Sequence, residues 1–203
     1  MKIVIVDYGM GNIKSISSSL KYLGVDEVVL SSDFKVIKSA DKLILPGVGS
    51  FSEAIKKIKD LQLDIYLKEL LFDEKKPILG ICLGMQLLCK SSEEDGKNRG
   101  LSFINGHVTK FKNKKIKVPH IGFNQVEKSK SSILFEGIID NSDFYFVHSY
   151  KMLSDSHINQ STCNYGENFI ASFEDKNIFG VQFHPELSQS NGLKLLKNFI
   201  AKT

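Results

Sequence analysis

A cysteine between two glycines, set where a buried strand gives way to a helix, constrains the fold of this chain more than any other stretch. Gly80-Ile81-Cys82-Leu83-Gly84 follows Lys76-Pro77-Ile78-Leu79, a short apolar run that reads as a strand. It precedes Met85-Gln86-Leu87-Leu88-Cys89, which reads as the start of a helix. A nucleophile at such a strand-to-helix turn forms an elbow that lifts its side chain above the sheet edge. The glycines let the chain turn sharply, and the helix start offers unpaired N–H groups and a positive dipole end. Both favour a thiolate and a developing oxyanion. Far downstream, Val181-Gln182-Phe183-His184-Pro185-Glu186 puts a histidine and a carboxylate close together at the end of another apolar strand. Cys82, His184 and Glu186 in this order suggest a nucleophilic triad.

Apolar strands and helical patterns alternate through the first half. Ile3 to Val6, Val28 to Leu30 and Lys42 to Leu45 read as strands. Helical spacing joins Ile13, Ile16, Leu20 and Leu23, then Phe51, Ala54, Ile55 and Ile58, and a further helix covers roughly 63–72. Ser50-Phe51-Ser52-Glu53 fits a capping box at one helix start. This order predicts an α/β fold: a mostly parallel, doubly wound sheet with helices on both faces. The turns at 8–12, 46–50 and 82–84 all follow strands, so they are expected to open onto one sheet edge. The second half is strand-rich, with candidates at 107–111, 143–147, 169–173 and 178–183. A closing helix carries Leu193, Leu196, Phe199 and Ile200 on one face. Residues 1–203 are expected to form a single domain.

Composition excludes several classes. No apolar run approaches the ~20 residues of a membrane span. Met1 to Asp7 is a strand rather than a secretory leader, because Asp7 ends the apolar run too early. Three cysteines without paired spacing argue against a disulfide framework and for a reducing, cytoplasmic setting. The net charge of +4 is carried almost wholly by lysine, with Arg99 the only arginine, so nucleic-acid reading is not expected. The densest basic run, Lys110 to Lys117, reads as a hairpin with a solvated outer side.

Most cysteines without such a context are inert core residues, and Cys89 and Cys163 are read so. Without a CxxC pair or a histidine cluster, no metal site is expected, and no cofactor motif is complete. Gly9-Met10-Gly11-Asn12 is not a dinucleotide fingerprint and reads as a tight turn facing a partner. Pro185 biases His184 toward an extended backbone, and Glu186 has the spacing to hold the imidazole by its other nitrogen. His120 and His148 are left as possible supporting groups.

Gly80-Ile81-Cys82-Leu83-Gly84-Met85-Gln86 together with Phe183-His184-Pro185-Glu186 resembles the class I, triad-type glutamine amidotransferases. Further segments are similar to one branch, the glutaminase subunits of imidazole glycerol phosphate synthase in histidine biosynthesis. They are Asp7 to Asn12, Pro46 to Phe51, Pro119 to Asn124, Phe146 to Tyr150 and Gln182 to Gln189. The resemblance implies a flavodoxin-like core and a heterodimer with a (β/α)₈-barrel cyclase, to which ammonia from glutamine passes. It implies Cys82 as nucleophile, His184 as base and acid, and Glu186 as orienter. It places the oxyanion against the amides of Leu83 and the Val48-Gly49 peptide. Gly49, Gln86, Glu94, Ser149 and Tyr150 would hold glutamine. Asn12, Pro119, His120, Phe123 and Leu187 would face the cyclase.

Two positions depart from the pattern. Many family members carry Trp where this chain has Phe123, and Lys where it has Leu187; the Lys pairs with a charge across the interface. These changes leave glutamine hydrolysis untouched and bear on the partner. An alternative is therefore a paralogue that supplies ammonia to a surface-sugar amidotransferase making acetamidino sugars. A Cys-His-Glu hydrolase or peptidase on the same scaffold is a reading of another class, as is a silent binding subunit. The glutamine-pocket set argues against the hydrolase and the intact triad against the silent subunit.

Overall fold

The computed structural model describes residues 1–203. The chain runs β1 (Lys2–Val6), α1 (Ile13–Tyr22), β2 (Glu27–Ser31), α2 (Phe34–Lys38), β3 (Lys42–Leu45), α3 (Phe51–Asp60), α4 (Leu63–Phe72) and β4 (Ile78–Ile81). It continues with α5 (Leu83–Leu87), β5 (Cys89–Ser92), β6 (Asn98–Arg99), β7 (Ile104–Lys110), β8 (His120–Glu127), β9 (Ser142–His148) and β10 (Tyr150–Leu153). Then come β11 (Asn159–Asn164), β12 (Asn168–Asp175), β13 (Ile178–Val181), a 3-10 turn at Pro185–Leu187 and α6 (Gln189–Lys202).

One sheet takes the order β2-β1-β3-β4-β13-β12-β10-β7-β5-β6. The first five strands of that order are mutually parallel, as a doubly wound fold requires. At β12 the direction reverses, and an antiparallel extension follows through β10 and β7. β8 and β9 form a wing reached through β11.

Alternation along the parallel strands builds two cores. Val4, Val6, Leu43 and Leu45 face α2, α3 and α4, where Ile37, Phe51, Ile58 and Leu67 are buried. Ile3, Ile5 and Ile44 face the other way, onto Ile16 and Leu20 of α1 and Leu195, Leu196 and Phe199 of α6. Each such side chain contributes ~1.5–3 kcal/mol of transfer free energy when fully buried. Lys42 is buried as well; its Nζ donates to Phe199 O at 3.0 Å and Thr203 Oγ1 at 2.8 Å, tying the end of α6 to β3. No helix is long and apolar enough to cross a membrane.

Several local expectations need correction. The helix after Cys82 is only Leu83–Leu87, and Cys89 opens β5, which pairs in parallel with β7. A short buried apolar run does not reveal where helix ends and strand begins. The basic hairpin does not form: β7 ends at Lys110, and the lysines beyond it lie in a loop. That loop is held by Glu167, which accepts the amides of Lys112 and Asn113 and pairs with buried Lys151. Residues 120–124, absent from the strand candidates read from sequence, are strand, because His120–Val126 pairs residue for residue with β9. Ser50 makes no capping bond. The Phe51 amide is met instead by the Glu94 carboxylate, at 3.0 Å.

Candidate active site

β4 and β13 are adjacent and parallel, with Ile81 opposite Val181. The Cys82 amide extends this ladder by one bond, donating to Val181 O at 2.8 Å. The chain then turns at Cys82, whose φ of 54° and ψ of −111° lie outside the regions L-residues favour. The turn is tight enough that a Cβ on Gly84 would sit 1.9 Å from the Leu45 carbonyl oxygen. α5 therefore lies directly against the end of β3, and the Leu83 amide is the first of that helix, without an intrahelical partner.

His184 follows the end of β13, in extended backbone as Pro185 demands. Its amide donates to Tyr145 O of β9 at 2.8 Å. Glu186 lies in the 3-10 turn, and its Oε1 is 2.9 Å from His184 Nδ1, with the two side chains 0% and 6% exposed. That contact leaves Nε2 for the sulfur. Burial alone would lower the imidazole pKa. Hydrogen bonds and charge from Cys82 and Glu186 outweigh it and push His184 up to about 10. A protonated imidazole is the neighbour a thiolate needs.

The sulfur opens into a cleft of about 230 Å³. Val48 and Gly49 from the turn after β3, with Leu83 and Gln86 from α5, form part of its wall. Glu94 and the segment Val147 to Tyr150 supply the rest. The structure thus brings Gly49, Gln86, Glu94, Ser149 and Tyr150 around Cys82 and His184. Gly49 has φ +106°, a conformation that strains any side chain. Burial raises the Glu94 carboxyl above its usual range; the Phe51 amide opposes this and Asp95 adds to it.

Two parts of the site take their form only in the structure. Gln182 is 0% exposed, and its side chain reaches both Gln86 and the Cys82 sulfur. A glutamine inside an apolar strand end was the signal, since buried amides need partners. The second is a pair of neutral histidines. His148 Nδ1 is 2.7 Å from Tyr150 O, and His148 Nε2 is 3.0 Å from His120 Nδ1. The carbonyl can only accept, so His148 carries its proton on Nδ1 and accepts at Nε2 from His120. Burial lowers His120 to about 4 and, with the charges of His120 and His184, His148 to about 3 despite the Tyr150 bond.

The expected partner face is only partly a surface. Pro119 is exposed, Phe123 is 50% exposed and Leu187 41%. His120, at 2%, lies beneath the face, stacked on Tyr165 at 3.9 Å. Asn12 is half-buried, with its amide turned to Glu186 Oε1 at 3.2 Å. Cys89 and Cys163 are buried, and burial pushes both thiols up to about 12. No three His, Cys, Asp or Glu residues are grouped to hold a metal ion.

Known proteins are similar to this chain in sequence and in fold. The chain is 44% identical over 203 residues to the imidazole glycerol phosphate synthase subunit HisH of Aquifex aeolicus, covering 100% of this chain and 97% of the relative. It is 45% identical over 199 residues to a HisH 1 subunit of Campylobacter jejuni, covering 98% of each. A HisH 2 subunit of Methanococcus maripaludis is 46% identical over 200 residues, again with 98% of each covered. Among solved structures, a glutamine amidotransferase of Thermotoga maritima superposes with a TM-score of 0.70 at 17% identity, over 98% of this chain and 96% of the other. PurLQS of Thermotoga maritima gives 0.73 at 16% identity, over 98% and 97%. Such distant likenesses show the shared fold alone. The family model for class I glutamine amidotransferase matches residues 4–203. Spanning both the Cys82 elbow and the His184 strand, that match shows that the chain belongs to the class I glutamine amidotransferases, alongside the HisH subunits.

Proposed function

We propose that this chain is the glutaminase subunit of an imidazole glycerol phosphate synthase, splitting L-glutamine and passing ammonia to a (β/α)₈-barrel cyclase. The observation that carries the reading is the convergence of Cys82, His184 and Glu186 on a cleft that also holds Gln86, Glu94 and Tyr150. A carboxylate at Glu94 suits an α-ammonium group, and amide and backbone groups suit an α-carboxylate. The full-length kinship with HisH subunits supports the pathway.

The chemistry follows from the residues. Cys82 attacks the side-chain amide carbon as a thiolate, and the tetrahedral oxyanion meets the amides of Leu83 and the Val48-Gly49 peptide. His184 gives its proton to the departing nitrogen, and the C–N bond breaks to leave ammonia and a γ-glutamyl thioester. The neutral imidazole then takes a proton from water, whose oxygen attacks the thioester and frees glutamate and the thiolate. Glu186 keeps Nδ1 occupied so that Nε2 does this work.

Val48 and Gly49 are exposed at the strand end, so an oxyanion donor placed there needs something to fix its orientation. A partner docked over this edge would do so. The isolated subunit is then a slow glutaminase, and docking raises its rate by about 10²–10³. The test is Cys82→Ala in the complex. Glutamine-dependent product formation should vanish, while synthesis from added ammonium salts continues. Glutamine hydrolysis that survives Cys82→Ala would overturn the reading.

One observation favours a second partner. Leu187 is exposed and aliphatic, where many members of the family resembled carry Lys. A paralogue that serves a surface-sugar amidotransferase would meet a different face. Binding only to such a partner, and not to the histidine-pathway cyclase, would replace the first assignment.

A further inference from the structure

Gln182 holds a position that the triad chemistry alone leaves unexplained. It is wholly buried, at the first residue beyond β13 and two before His184. Its Oε1 accepts from Gln86 Nε2 at 2.8 Å, and its Nε2 lies 3.8 Å from the Cys82 sulfur. Gln86 Nε2 also donates to Tyr150 O at 3.0 Å. Both hydrogens of that amide are thereby used, and one of them fixes which end of Gln182 can accept. The other end is therefore an NH₂ group, which meets the sulfur only as a donor.

The sulfur has a second neighbour of opposite character. Val147 O lies 3.7 Å from it and can only accept, so it binds the protonated thiol. The Gln182 N–H binds the deprotonated form, and a charged acceptor tightens such a bond. The sulfur thus lies between an acceptor suited to the thiol and a donor suited to the thiolate.

We propose that Gln182 is a further catalytic residue of this site, donating its side-chain N–H to the Cys82 thiolate and holding the sulfur in line for attack. The proposal rests on the reading of Cys82 as nucleophile. It adds that Gln86, a wall of the substrate cleft, aims this donor. Occupancy of the cleft and readiness of the sulfur are thus joined through Tyr150 O, Gln86 and Gln182.

Gln182→Glu keeps the shape and the acceptor for Gln86 but replaces the donor beside sulfur with an acceptor. In the full chain at pH 7, alkylation of Cys82 by iodoacetamide should slow by about 10-fold or more. Gln182→Met, which removes the donor without adding charge, should slow it less. In the complex, Gln182→Glu should lower kcat by at least about 10-fold and leave KM within about twofold, because the cleft is kept. Alkylation within about twofold of the unaltered chain in both variants would overturn the proposal. So would failure of both variants to fold, which would make Gln182 structural. Alkylation needs no glutamine, so a normal Gln182 effect in a chain that cannot hydrolyse glutamine would sink the proposed function and leave this inference standing.

Discussion

Asn12 donates its side-chain amide to Glu186 Oε1 at 3.2 Å, the same oxygen that lies 2.9 Å from His184 Nδ1. The turn after β1 therefore steadies the carboxylate that steadies the imidazole. Asn12→Ala should lower glutamine turnover by about 10-fold, by freeing Glu186 to rotate. Glu186→Gln should cost more, and Cys82→Ala most. Equal losses of activity and of thermal stability in Asn12→Ala would instead make the contact purely structural. Steady-state kinetics alongside a melting curve separate the two.

Gly84 is needed for space. A Cβ there would lie 1.9 Å from Leu45 O, and the clashing atom is backbone, which cannot move aside cheaply. Gly84→Ala should destabilise the chain by about 3 kcal/mol, a fall in Tm of about 6–12 °C. The elbow should also be displaced, so activity at 25 °C should be lost in the fraction that remains folded.

Acid should weaken the fold through the histidine pair. His120 and His148 are held at about 4 and about 3, below the ordinary value of 6.5. Between those values and 6.5 the unfolded chain binds more protons than the folded one. Stability is therefore fully present above about pH 6.5 and falls as pH drops, by up to about 1.4 kcal/mol per unit for each histidine. Glu136 and Glu167, held below the usual carboxylate range by Lys202 and Lys151, release their contribution only at lower pH. Glu94, whose carboxyl is raised, and His184, raised to about 10, work in the opposite sense, so the pair's decline is what remains after their gain. Urea unfolding at pH 7 and pH 5 should show the decline, and His120→Gln should flatten it. A flat profile in the unaltered chain would contradict the neutral pair.

Leu187 offers a test of the partner face. It is substantially exposed, so Leu187→Lys should leave the melting temperature of the free chain unchanged. Against the cyclase of the same cell it should weaken binding by about 10-fold, because the new cation has no carboxylate opposite. Tighter binding would mean that the cyclase already carries the acidic partner. Titration calorimetry with both forms decides it.

Much of this was legible in sequence where the pattern was local. The parallel strands announce themselves as continuous apolar runs, since both faces of β1, β3 and β4 are covered. The elbow and the His184-Pro185-Glu186 turn carry their geometry in adjacent residues. What stayed hidden depends on contacts far apart in the chain. β8 is missing from the strand candidates because Gly122 and Asn124 interrupt its pattern until β9 pairs with them. The Glu94–Phe51 bond replaces a capping box that Ser50 and Glu53 spell correctly; Glu53 pairs with Lys57 instead. Gln182 and His120 are polar groups whose roles follow only from what the fold brings beside them.

Cys82 and His184 stand beyond neighbouring strands joined by backbone hydrogen bonds, with the Cys82 amide itself part of that ladder. The proposed nucleophile and base are therefore carried beyond two central, fully buried strands, not on a lid. Warming should not pull them apart gradually. Thiol reactivity and amide exchange in β4 and β13 should be lost together, in one cooperative step with the whole fold. The exposed turn after β3 at Val48-Gly49 should exchange its amides with solvent well before that point.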